Sequence, residues 1–154
     1  DGPGILPSDD GSLIKKIVHS GFWRSMVNMT GPRAFIAGAI QLGYLHYSPS
    51  SEEVADYIAS YSGRINQVTA WFKHYPEGLK DIDPHLETLD VPVHVFWGDQ
   101  DAFLTTDNAV RLHKRLPKSA LTIFERCGHF CYQDKEVEFT ELVRTWVNNG
   151  HKLG

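Results

Sequence analysis

The first thing missing from this 154-residue chain is a basic cluster: 15 Lys and Arg stand against 19 Asp and Glu, a formal net charge of -4. Without a basic patch there is no electrostatic footprint for nucleic acid or for an anionic membrane surface, and neither is expected as a partner. Long apolar runs are missing too. None approaches the ~20 residues a membrane span needs, no signal peptide opens the chain, and a cytoplasmic location is expected. Cysteine is scarce, with only Cys127 and Cys131. Two thiols with three residues between them build neither a disulfide framework nor a four-ligand zinc site. They are expected as reduced thiols packed behind a loop, with no metal and no cofactor. Repeats, low-complexity tracts and linker-like stretches are also lacking.

What remains is ordinary globular composition, 42% hydrophobic and 22% charged, enough for one domain of the usual ~100–200 residues. Its organising stretch is Val91 to His129. Val91 to Trp97 is short, apolar, and rich in β-branched and aromatic residues, as a strand buried on both faces must be. Pro92 sits at its start, where a missing N–H is tolerated. The strand ends at Gly98, and the acids Asp99 and Asp101 follow. A second strand, Ala120 to Glu125, runs into Cys127-Gly128-His129-Phe130. In open α/β sheets the chemistry sits in loops beyond the carboxyl ends of the strands. A carboxylate and a histidine on two successive parallel strands can meet there as orienting acid and general base. His94, inside the apolar strand, reads as a core histidine.

Helices surround this pair of strands. The Gly/Pro-rich segment from Asp1 to Gly11 reads as a loop and as a cut end, and Ser12 as the cap of a helix bearing Leu13, Ile14, Ile17 and Val18. Phe22, Trp23, Met26 and Met29 form a mixed segment with no assigned element. Gly31-Pro32 opens a helix to about Tyr44. Ser50-Ser51-Glu52-Glu53 is a capping box, and the helix it opens carries Val54, Tyr57, Ile58 and Tyr61 on one face. A further helix with Ile65, Val68, Trp71 and Phe72 is expected to end near Tyr75-Pro76, leaving 76–90 as a connector. Thr105 caps a helix to about Arg115. Asp134 is expected to cap the last helix, whose stripe is Phe139, Leu142, Val143, Trp146 and Val147.

At Trp97-Gly98-Asp99-Gln100-Asp101 and Gly128-His129-Phe130 the chain resembles the acid loop and the histidine loop of the α/β-hydrolase family, in the family's order. The resemblance implies Asp101 as the acid, His129 as the base and Asp99 as a structural residue. It implies a helical cap with its entry loop over 1–85, and over 86–154 the C-terminal part of the core, with two parallel strands and flanking helices. No G-x-S-x-G-like elbow and no oxyanion loop is present, so the nucleophile and the N-terminal half of the sheet are absent from this chain. The complete enzyme would hydrolyse an ester, carbon–halogen or similar bond in a small-molecule substrate through a covalent intermediate, and this chain alone would not turn over. Within the resemblance, Val68 to Lys73 looks like an epoxide-hydrolase cap helix in which a tyrosine follows the tryptophan. Phe72 stands there, so epoxide opening is disfavoured, and the tryptophan-bearing cap could instead line a halide or acyl pocket, as in haloalkane-dehalogenase-like members. Trp71, Tyr57 and Tyr61 are the expected lining residues. The expected partner is the missing N-terminal half or a second copy of the chain. The competing expectation is a stand-alone, non-catalytic protein that oligomerises through its exposed sheet edge.

Overall fold

A computed structural model describes residues 20–152. The helix expected from Ser12 lies outside them. The first described element, α1 (Gly21–Gly43), is two helices joined at a kink. Gly31 has φ 75° and ψ 179° there. Pro32 denies its predecessor the helical region, and only glycine takes a positive φ at little cost. The second half therefore begins where Gly31-Pro32 predicts. The first half, capped by Ser20 through Trp23 N–H, was not predicted. Of its apolar side chains, Phe22 and Met29 are largely exposed and Trp23 and Met26 partly so, and none is in the core, so they form no continuous core stripe for periodicity to reveal.

Helix α2 (Ser51–Tyr61) starts at the expected capping box: Ser50 Oγ accepts from Glu53 N–H at 3.2 Å, and Glu53 accepts from Ser50 N–H at 2.7 Å. Helix α3 (Ile65–Ile82) then departs from expectation, running through Pro76 and passing into a 3-10 helix, Asp83–Thr88. Proline costs a helix one N–H bond and a ring clash. Here the half-buried series Phe72, Tyr75 and Leu79 continues across it, and Leu86 beyond is in the core. Packing of that face outweighs the local defect.

Strands β1 (Val93–Gly98) and β2 (Ser119–Phe124) pair in parallel, Val93 opposite Ser119 and Gly98 opposite Phe124, and are joined by α4 (Thr106–Arg115). Arg115, at the end of α4, ties back to Asp83 and Glu87 of the 3-10 helix. A single-turn helix, α5 (Cys131–Asp134), and the longer α6 (Glu136–Asn148) follow β2. Strand alternation sorts the core into two layers. Val95 and Trp97 pack with Leu86, Leu104, Ala109 and Leu116, while Phe96 joins Phe124, Cys127, Cys131, Phe139 and Leu142 on the other side. β1 is thus covered on both faces, as its composition demands.

Its outer edge pairs with no strand among the described residues. Val93 and Asp99 donate their N–H groups across to Lys118 and Phe124. By alternation, the backbone groups of His94 and Phe96 point away from β2, and no third strand meets them among the described residues. None of the described helices is long and apolar enough to cross a membrane.

Candidate active site

The parallel register puts Gly98 and Phe124 side by side, so the chain leaves both strands at one end of the sheet. The two loops then stitch together through backbone. Gln100 N–H donates to Cys127 C=O at 2.9 Å, and Asp99 Oδ1 accepts from Cys127 N–H at 3.1 Å. Asp99 is therefore a tie between loops. The contact is close enough that a Cβ on Gly98 would lie 2.1 Å from Gly128 O and 2.4 Å from Cys127 O. Only glycine fits at that strand end.

Asp101 and His129 meet across these ties. His129 Nδ1 lies 2.8 Å from Asp101 Oδ2, with side chains 13% and 3% exposed. The other oxygen of Asp101 accepts from Phe103 N–H at 2.8 Å and Leu104 N–H at 3.0 Å. Those two bonds fix the carboxylate plane, and the carboxylate in turn fixes the imidazole. A carboxylate can only accept, so the shared proton sits on Nδ1 and Nε2 is left with a lone pair. Nε2 makes no hydrogen bond among the described residues. Phe103 and Phe130 meet the ring edge-on, each with centroids 5.0 Å away, and hold its orientation.

A residue whose role was misjudged holds the histidine loop from behind. Asp134 caps no helix; it is the last residue of α5. Its Oδ2 accepts from Leu45 and Gly128 N–H at 2.9 Å each, and its Oδ1 from His46 N–H at 3.0 Å and Tyr47 N–H at 2.8 Å. Burial disfavours its charge, but these four backbone donors outweigh it and hold the carboxyl below its usual range. Phe130 N–H also donates to Gly43 C=O at 3.2 Å. The exit of α1 and the loop bearing His129 are thus one tied unit. No spacing rule announces four donors gathered from two distant segments.

Above the pair opens a cavity of about 690 Å³ that reaches from α1 and α3 down to His129. Trp71, Tyr57 and Tyr61 line it, as do Phe72, Tyr44 and Tyr132. A smaller hollow of about 70 Å³ lies beside Asp101, His129, Gly98 and Cys131. The thiols are free and buried. Burial above all, and then each other's proximity for Cys127, pushes Cys127 up to about 12 and Cys131 up to about 11. His94 accepts or donates through Nε2 at 2.9 Å from Thr122 Oγ1 and stacks on Phe96, while its Nδ1 is buried without a partner. The described residues hold no group of three or more His, Cys, Asp or Glu that could grip a metal ion.

With strands, crossover and loops in place, solved structures of the same shape can be compared. A haloalkane dehalogenase loop variant from Bradyrhizobium elkanii superposes with TM-score 0.69 at 19% identity, covering 88% of this chain and 48% of that one. An esterase from Exiguobacterium antarcticum superposes with TM-score 0.67 at 16% identity, covering 94% of this chain and 53% of that one. The chain carries the C-terminal part of an α/β-hydrolase fold.

In sequence, it is 34% identical over 74 residues to 2-hydroxy-6-oxononadienedioate/2-hydroxy-6-oxononatrienedioate hydrolase 1 of Dechloromonas aromatica, 48% of this chain and 26% of that protein. No protein-family model matches the sequence. The chain spans about half the length of the solved structures it resembles.

Proposed function

We propose that this chain supplies the acid, the base and the substrate cap of a hydrolase working through a covalent intermediate. The carrying observation is the 2.8 Å contact between His129 Nδ1 and Asp101 Oδ2 beyond two adjacent parallel strands, at the floor of an aromatic cavity. Nε2 would take the proton from an attacking hydroxyl or from the water that cleaves the intermediate, and return it to the leaving group. Asp101 would hold the tautomer and stabilise the imidazolium without itself being protonated. Helices α1 to α3 form the cap, with Trp71, Tyr57 and Tyr61 around the substrate.

The nucleophile and the oxyanion donors come from a segment that pairs with the outer edge of β1, contributed by an N-terminal half or by another chain. The hydrolases among the similar proteins support this reading at the level of the reaction class, and an ester, a carbon–halogen bond or a similar bond remains the substrate linkage. Reconstitution tests it. The chain is combined with the sheet-forming half of an α/β hydrolase, and ester cleavage and halide release are followed with and without His129→Ala. Hydrolysis lost in the variant is the expected result; equal hydrolysis in both would overturn it.

The bare edge at His94 and Phe96 favours one second reading, a non-catalytic chain that oligomerises through that edge. Sedimentation settles between them: a stable homo-oligomer that never turns over supports the second.

A further inference from the structure

We infer that the cavity above His129 admits an uncharged, largely apolar substrate and excludes carboxylates, unlike the dicarboxylate after which the Dechloromonas relative is named. The inference rests on the hydrolase reading and narrows its substrate class.

The wall carries the argument. Among the described residues, no Lys, Arg, Asp or Glu lines the cavity, while indole, phenyl and phenol rings from α1, α2, α3 and both loops do. Ring faces carry the negative end of the aromatic quadrupole and offer an anion nothing. Trp71 and Tyr75 stack with centroids 5.0 Å apart, which makes one stretch of wall a continuous π surface. The floor adds no positive charge. Nδ1 of His129 is committed to Asp101, so the pair is neutral when the imidazole is protonated and negative when it is not.

The tyrosines act as internal probes of this environment. Tyr75 and Tyr132, and Tyr44 with further help from its neighbour Tyr57, all have phenols held above their ordinary range, with burial the leading cause. A space that resists forming a phenolate resists receiving a carboxylate for the same reason: the charge leaves water and meets no counter-charge. Its volume is ordinary for a small-molecule site. A neutral ester, ketone or haloalkane with an aryl or alkyl body therefore fits where an anionic acid does not.

The test uses the full chain and two ligands of the same shape, 4-phenylbutan-2-one and 3-phenylpropanoate, with binding measured by calorimetry at neutral to mildly alkaline pH. The neutral ketone should bind at least about tenfold more tightly, the ratio set by leaving one charge unpaired. Ala34→Arg places a cation at an exposed position on the cavity rim, where the helix tolerates it, and should shift the ratio at least several-fold toward the acid. Equal or tighter binding of the carboxylate, binding of neither ligand, or a ratio that ignores the new arginine would overturn the inference. The binding ratio is read without turnover. Selective binding by a chain that never becomes hydrolytic would sink the hydrolase reading alone; turnover of an acid as readily as of its neutral counterpart would sink the selectivity alone.

Discussion

Replacing Asp134 by asparagine changes one atom and should unfasten the histidine loop. The carboxylate serves four N–H groups in two pairs, Leu45 with Gly128 on one oxygen, His46 with Tyr47 on the other. Asparagine keeps one acceptor oxygen, so one pair must face an NH2 group instead. Leu45 and His46 are exposed and can turn to water, but Gly128 and Tyr47 sit in part-buried bonds. Whichever way the amide settles, one part-buried donor is orphaned, at about 1–3 kcal/mol, and the surviving pair loses its charge assistance, at about 1 kcal/mol for each bond. The expected loss is about 3–5 kcal/mol, read as a lower urea midpoint at unchanged slope.

The pH dependence supplies a second readout. The folded carboxyl lies below its unfolded value near ~3.9, so its contribution is complete above that value and disappears as pH falls through the folded pKa. Asp134→Asn should therefore flatten the acid limb of the stability profile while lowering its plateau. A loss under about 1 kcal/mol, or an acid limb identical to that of the parent, would refute the reasoning.

Other expectations follow from the same contacts. Gly98→Ala should destabilise by more than about 2 kcal/mol, or abolish folding, because the new methyl meets backbone oxygens that cannot withdraw; a thermal melt decides. Asp101→Asn in the reconstituted enzyme should lower turnover by on the order of 10⁴-fold through the wrong histidine tautomer, with substrate affinity little changed. Steady-state kinetics separate the two effects. Cys127 and Cys131, protonated at neutral pH by burial, should resist alkylation at pH 8 until the chain unfolds, and mass spectrometry after iodoacetamide reports it.

The elements legible in the sequence are those governed by neighbours a few residues apart. The capping box at Ser50 and Glu53, the kink at Gly31-Pro32, the two strands and the helix between them all follow from local chemistry. So did the placement of Asp101 and His129, since a polar residue just past a buried strand has one place to be: beyond the sheet's carboxyl edge. The persistence of α3 through Pro76 escaped notice because face packing, not propensity, decides it. The helical first half of α1 follows from no local signal because its apolar residues divide between solvent and the cavity wall and leave no periodic core stripe.

What the sequence by itself determined, then, was the pair of strands, the helix between them, and the position of Asp101 and His129 just beyond the strand ends. Tertiary structure alone decided how that pair is held and what it faces. Asp134 draws its four donors from positions 45–47 and 128, and the cavity draws its uncharged wall from three helices and two loops. The physical reason is one of range. Caps and strand patterns are satisfied within a turn or a pleat, whereas a buried carboxylate and an empty apolar space are defined only by whatever the folded chain brings to them.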